Sequence, residues 1–173
     1  THKKVSKEAL EHNEHLQATW QTVMCQYEPQ QLVFIDEASV DDHTIIQKWR
    51  WVPLGQALSF LWRQKFSILP ALSLNGILTL DVFEGFVNQE RFLIFYIWYA
   101  PLLNPFPTEH SVVVIDNCST HHNEDIHQII EDECVKLVYL PPYTPDFNLI
   151  EECFSFIKAW LQRHEQEVIN LDV

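Results

Sequence analysis

Two acidic residues stand at the ends of separate apolar runs in this chain. Asp36 follows Leu32–Ile35 and Asp116 follows residues 111–115, and both runs have the length and composition of buried β-strands. A carboxylate at the end of a buried strand is costly to desolvate unless a cation or hydrogen bonds compensate its charge. If the two strands are adjacent and parallel, both acids emerge at the same edge of the sheet, where open α/β sheets bind ligands.

A third acid stands near the start of the last predicted helix, where Glu151 and Glu152 are adjacent. Three converging carboxylates would form an oxygen-rich site suited to hard cations such as Mg²⁺ or Mn²⁺. Two such ions, about 3.5–4 Å apart, activate the attacking oxygen and stabilise the leaving oxygen in phosphoryl transfer. Taken singly, each acid is explained more simply as a helix or turn cap, and helical periodicity does not choose between Glu151 and Glu152.

The elements that must position these acids follow from the hydrophobic pattern. The prediction is a leading helix (residues 6–27), a strand (32–36), a hairpin at Asn75-Gly76 (66–83), a helix (89–99), a strand (111–116), a helix (123–133), a strand (136–140), a helix-free proline turn (141–145) and a last helix from 148. This order indicates an α/β fold whose mixed central sheet has an antiparallel hairpin plus parallel strands, flanked by helices. We expect one compact unit, with a leading helix in residues 1–31 and the main domain in 32–173.

Composition excludes several classes of function. Three glycines among 173 residues cannot form a glycine-rich phosphate loop. The four cysteines contain no CxxC pair, and His121 and His122 lack partners at zinc-ligand spacing, so no zinc site is predicted. The most apolar window, residues 92–103, is shorter than the roughly 20 residues that a membrane span needs, so we expect a soluble intracellular domain.

Charge is distributed unevenly along the chain. The net charge of −13 argues against a simple basic module that coats DNA. Residues 43–65 nevertheless contain no acid, and their basic and tryptophan side chains are interleaved: Lys48, Trp49, Arg50, Trp51, Trp62, Arg63 and Lys65. Such a mixture suits contact with a nucleic-acid backbone, where stacking and ion pairing act together. The alternative is an ordinary amphipathic loop that packs its tryptophans.

Three segments resemble the DDE transposase catalytic domain of mariner-like elements. They are FIDE at residues 34–37, VIDN at 114–117 followed by His121, and LPPYTPDFNLIE at 140–151. Between Asp36 and Asp116 lie 79 residues, and 34 residues separate Asp116 from Glu151, a spacing typical of one branch of that superfamily. The last segment is the most specific, and the resemblance extends from about residue 32 to 161.

The resemblance implies an RNase H-like, integrase-like fold and metal-dependent DNA strand cleavage and strand transfer. It assigns Asp36, Asp116 and Glu151 as catalytic residues and as ligands of two Mg²⁺ or Mn²⁺ ions. Three polar residues would lie beside these ligands or face DNA: Asn117, His121 and Asn148. In the family, the loop after the first strand contacts DNA and joins two catalytic domains. Here that loop is 41–65, with Lys48, Arg50, Trp51, Arg63 and Lys65 as DNA-binding residues and a homodimer as the assembly.

The sequence departs from the family pattern in three places. Leu149 replaces the usual proline before Ile-Glu, Leu54 stands where a basic residue is common, and no helix-turn-helix region precedes the catalytic part within these 173 residues. Two interpretations therefore stay open. One is the catalytic core of a nuclear transposase that acts on transposon ends and target DNA. The other is a catalytically inactive relic, or a host-recruited module that binds DNA or protein.

Overall fold

The computed structural model describes residues 14–41, 65–117, 124–142 and 144–164. The helices are α1 (Glu14–Met24), α2 (Gln89–Tyr99), α3 (Glu124–Asp132) and α4 (Ile150–Arg163). The strands are β1 (Leu32–Ile35), β2 (Ala38–Val40), β3 (Phe66–Ser73), β4 (Gly76–Glu84), β5 (Val112–Ile115) and β6 (Lys136–Tyr139). Short 3₁₀ turns occupy Pro29–Gln31, Ala100–Leu102 and Pro145–Phe147. No helix among the described residues is long and apolar enough to span a membrane.

The strands form one mixed sheet, as the order of elements predicted. β1 is parallel to β5, with Ile35 beside Ile115, and β5 is parallel to β6. β3 is antiparallel to β1 on one side and to β4 on the other. The β3–β4 hairpin turns at Leu74 and Asn75, one residue earlier than predicted, and Gly76 begins β4 with φ +119°.

Successive side chains of the sheet face two separate hydrophobic cores. On one face, Val33 and Ile35 pack with the aromatic residues of α2 and with α3. On the other face, Phe34 packs with α4, and α1 contributes the partly buried Trp20 and Met24. This alternation explains why β1 reads as a continuous apolar run, since both of its faces are covered.

β1 and β2 behave as one strand interrupted at the first candidate acid. Ile35 pairs with Ala71 and Ala38 pairs with Ile68 in the same register, so Asp36 lies opposite Pro70. Proline has no N–H to donate, so β3 offers one backbone hydrogen bond fewer at this position. The break leaves Asp36 outside the regular ladder, between β1 and β2.

The helices agree closely with their predicted bounds. α2 covers Gln89–Tyr99, and the side chain of Asn88 accepts a hydrogen bond from the Arg91 backbone at 2.8 Å. α1 ends at Met24 rather than Tyr27, because the chain after it forms tighter turns. The predicted start of this first helix lies outside the described residues.

Two local elements were not predicted. The strand Ala38–Val40 was not expected, because three residues are too few to show an alternating pattern. The helix-free proline turn was predicted over 141–145, and a 3₁₀ turn that was not predicted follows at Pro145–Phe147, sharing only Pro145 with it. The fixed φ of a proline suits the first position of a helical turn, so Pro145 starts a turn rather than preventing one.

Candidate active site

Two of the three candidate acids lie side by side at one edge of the sheet. Asp36 directly follows β1 and Asp116 directly follows β5. These strands are parallel neighbours in which Ile35 aligns with Ile115, so the two acids occupy equivalent positions beyond the strand ends. This is the arrangement that the two apolar runs ending in aspartate predicted.

The third acid comes from α4, and the packing of that helix selects it. Ile150 and Phe154 are buried in the core on the α1 side of the sheet, which fixes the orientation of the first turn. Glu151 then lines the same cavity as Asp36 and Asp116. Glu151 and Glu152 are both exposed, but Glu152 is not among the lining residues.

The cavity has a volume of about 360 Å³. Its remaining walls come from the ends of β5 and β6 and from the tract that leads into α4. The lining residues are Asp36, Asp116, Asn117, Leu140, Pro141, Pro142, Thr144, Pro145, Asn148 and Glu151. The strand ends and α4 therefore bring together three carboxylates that are far apart in the sequence.

Asp36 is the most buried of the three acids, with 8% of its surface exposed. The pKa of Asp36 is raised from 3.8 to about 7, and burial of the carboxylate is the largest cause. The charge of Glu37 adds to this rise in pKa, the backbone hydrogen bond from Glu37 opposes it, and the charges of Asp116 and Glu151 add to it. A cation among these carboxylates would relieve both the desolvation and the repulsion.

Both oxygens of the Asp36 carboxylate accept hydrogen bonds. The backbone N–H of Glu37 donates to Oδ1 at 2.7 Å, and Nδ2 of Asn148 donates to Oδ2 at 2.7 Å. The plane of the carboxylate is therefore held from two sides before any ligand arrives.

The tract between β6 and α4 is held in place at several points. The Leu140 backbone N–H bonds to the carbonyl of Ile115 at 2.8 Å, and the hydroxyl of Thr144 bonds to the carbonyl of Pro141 at 2.6 Å. The ring of Phe147 stacks on Trp20 of α1, with centroids 5.1 Å apart and an interplanar angle of 8°. Sequence reasoning did not identify this support by α1, and no local pattern indicates it.

The other predicted site residues have different outcomes. Asn117 is exposed and lines the cavity, and Asn148 lines it while buried. Lys65 is not among the lining residues, and its ammonium lies 4.1 Å from the ring centroid of Phe86. The remaining DNA-facing candidates lie outside the described residues: Lys48, Arg50, Trp51, Arg63 and His121.

The donor set of the cavity fits hard divalent cations, because it consists of carboxylate and amide oxygens. Within the part of the chain that the structure describes, no group of three His, Cys, Asp or Glu side chains is arranged to hold a single ion.

The sequence profile of the DDE superfamily endonucleases matches residues 31–172. This match covers most of the chain, which therefore belongs to that family. No curated protein sequence matches the chain significantly.

Solved structures of Mos1 transposase share the fold. The paired-end complex with the left transposon end has a TM-score of 0.66 at 17% identity over 93% of this chain and 53% of that one. The paired-end complex with Mn has a TM-score of 0.65 at 18% identity over 98% of this chain and 58% of that one. The catalytic domain with Raltegravir and Mg has a TM-score of 0.64 at 14% identity over 98% of this chain and 83% of that one.

This chain spans little more than half of the Mos1 chains in the two DNA complexes, and most of the isolated catalytic domain. The fold is thus the RNase H-like fold of the Mos1 catalytic core. The prediction of an RNase H-like sheet from the mariner-like motifs is confirmed.

Proposed function

We propose that this chain is the catalytic core of a DDE transposase, which cleaves DNA strands and transfers the released ends to a target. The observation that carries the proposal is the single cavity lined by Asp36, Asp116 and Glu151, which come from three separate elements. Membership of the DDE superfamily endonucleases and the shared fold with the Mos1 core support it.

We assign Asp36, Asp116 and Glu151 as the residues that hold two divalent cations, Mg²⁺ or Mn²⁺. Mos1 structures with each of these metals support the choice. When bound, such ions activate the attacking oxygen and stabilise the leaving oxygen of a phosphodiester. Asp36 would hold a cation favourably, because it is buried and lies among other negative charges.

In the cleavage step, water attacks the phosphorus atom and the bond from phosphorus to the 3′ oxygen breaks. The 3′ oxygen leaves as a hydroxyl with one proton, and the other fragment keeps the phosphate. In strand transfer, that 3′ hydroxyl attacks a phosphodiester of the target and loses its proton as the new ester bond forms. The bond from the same phosphorus to the 3′ oxygen of the target strand breaks, and this oxygen leaves as a hydroxyl that takes up a proton. Neither step requires a serine or cysteine nucleophile, which agrees with the side chains that line the cavity.

The proposed partner is DNA, and the Mos1 complex with a transposon end supports this choice. Residues 41–65, with Lys48, Arg50, Trp51, Arg63 and Lys65, are proposed to contact DNA and to join two copies of the chain. Asn117 is proposed to face the substrate, because it is exposed and lines the cavity. The nucleus is the proposed location, because the substrate is chromosomal DNA.

The alternative is a module that keeps the fold and has lost the chemistry. The observation that favours it is that no three potential ligands among the described residues are arranged around one point. This alternative and the transposase proposal differ in whether cleavage depends on the three acids.

The test is nicking of supercoiled plasmid by the 173-residue chain with Mg²⁺ or Mn²⁺. We expect Asp116→Asn and Glu151→Gln each to reduce nicking to the level of a metal-free control. Glu152→Gln is the matched control, since Glu152 is in the same helical turn as Glu151 but does not line the cavity. Nicking that is absent in the parent, or unchanged in both active-site variants, would overturn the proposal.

A further inference from the structure

Asn148 connects two of the candidate acids through one side chain and one peptide group. Its Nδ2 donates to Oδ2 of Asp36 at 2.7 Å, across 112 positions of sequence. Its backbone carbonyl accepts the N–H of Glu151 at 3.1 Å, at the start of α4. Asn148 therefore ties the carboxylate that ends the first strand to the backbone of the acid on the last helix.

The burial of Asn148 separates two roles that its sequence position left open. Asn148 is 6% exposed, whereas Asn117, in the same cavity, is exposed. A side chain with so little accessible surface presents almost nothing to a DNA strand. Its contact with Asp36 points instead to a role in positioning that carboxylate.

The orientation of the Asn148 amide carries a second piece of information. Its Oδ1 is buried and has no hydrogen-bond partner among the described residues. A buried acceptor without a partner lowers stability. Rotating the amide would turn Oδ1 towards the ionised Asp36 carboxylate and remove the donor from it, which is worse. The unsatisfied oxygen is thus a consequence of keeping Nδ2 on Asp36.

We propose that Asn148 is a positioning residue that fixes the Asp36 carboxylate, and its relation to Glu151, for binding of divalent cations. This inference rests on the proposed function, because it assumes that Asp36 is a metal ligand. Side chains that hold metal-binding carboxylates and histidines in place typically change metal affinity about 10–100-fold when they are removed.

A purely structural role for Asn148 is the alternative, since asparagine is common in turns that precede helices. The two roles differ in Asn148→Leu. Leucine is similar in shape and removes the unsatisfied oxygen, which offsets part of the cost of leaving Oδ2 of Asp36 without its donor, so the thermal midpoint without metal should fall only modestly. A structural role then predicts normal metal affinity in this variant, whereas a positioning role predicts weak affinity in a folded protein.

The experiment is a calorimetric titration of Mn²⁺ into the 173-residue chain, with thermal unfolding in EDTA for each variant. We expect Asn148→Leu and Asn148→Ala to weaken Mn²⁺ binding about tenfold or more. The matched control is Asn88→Ala, which removes another asparagine at the start of a helix, where Oδ1 caps α2. That control should lower the thermal midpoint and leave Mn²⁺ affinity unchanged.

The outcomes separate this inference from the proposed function. A parent that binds Mn²⁺ tightly but fails to nick DNA, with weakened binding in both Asn148 variants, supports the positioning role and contradicts the transposase proposal. Equal Mn²⁺ affinity in the parent and a folded Asn148→Leu overturns the positioning role, whatever the nicking assay shows. Equal losses of affinity in the Asn148 and Asn88 variants would also overturn it, and no binding in the parent would overturn both.

Discussion

Replacing Asp36 with asparagine should stabilise the metal-free protein, and the gain should depend on pH. The pKa of Asp36 rises from 3.8 to about 7 in the folded state, chiefly through burial. At about 1.4 kcal/mol for each tenfold change in ionisation, keeping this group charged costs about 4 kcal/mol of folding free energy at pH 8. As the pH falls below 7, the folded protein takes up the proton while the unfolded chain stays ionised, so the penalty shrinks and disappears below the unfolded pKa of about 3.8.

The substitution leaves few polar groups without partners. The new amide oxygen can accept the Glu37 N–H, and the new amide nitrogen can donate to Oδ1 of Asn148 once that amide rotates. Two-state linkage then gives a stabilisation of about 4 kcal/mol at pH 8 and about 2 kcal/mol at pH 5.

The assay is urea unfolding in EDTA at both pH values, comparing Asp36→Asn with the parent so that the titration of other groups cancels. Asp146→Asn, in an exposed position of the Pro145–Phe147 turn, is the control and should change stability by less than about 0.5 kcal/mol at both pH values. The reasoning fails if the advantage of Asp36→Asn is the same at pH 5 and pH 8, or if the variant is less stable than the parent at pH 8.

Three further predictions concern the pKa of Asp36, the stack on Phe147 and the backbone of Gly76. Mn²⁺ affinity should fall about tenfold for each pH unit below about 7 and level off above it, because the ion competes with the proton of Asp36. If Asp36 were not a ligand, calorimetry from pH 5.5 to 8 would show an Mn²⁺ affinity that does not change with pH. Trp20→Leu should remove the stack on Phe147 and lower the free energy of unfolding by about 1 kcal/mol. The control is Leu16→Ala, on the exposed side of α1, which should change the free energy of unfolding by less than about 0.5 kcal/mol. Equal losses for the two variants in urea unfolding would contradict this prediction. Gly76→Ala should cost about 1–2 kcal/mol in the same assay, because Gly76 has φ +119° although nothing lies within 4 Å of an added Cβ; an unchanged midpoint would show that the hairpin can adopt another turn.

Local patterns determined the strands, the helices and two of the three acids. A run of apolar residues that ends in aspartate indicates a strand that is buried on both faces and has a charge at its end. Asp36 and Asp116 could therefore be identified as candidate site residues without coordinates. The cap at Asn88 and the hairpin near Gly76 were equally readable, because each depends on backbone preferences within a few residues. The three-residue strand Ala38–Val40 was not readable, since it forms only through pairing with β3.

Only the tertiary structure decided the features that depend on distant contacts. Periodicity left Glu151 and Glu152 equivalent and only the family motif assigned Glu151, whereas the packing of α4 against the sheet placed Glu151 at the cavity. The hydrogen bond between Asn148 and Asp36 joins residues 112 positions apart, and no pattern within either segment contains it. The raised pKa of Asp36 likewise depends on what the rest of the fold places around it. The sequence by itself determined which residues could do chemistry. Burial and approach in three dimensions decided which of them meet, because those quantities belong to the packed chain and not to any one segment.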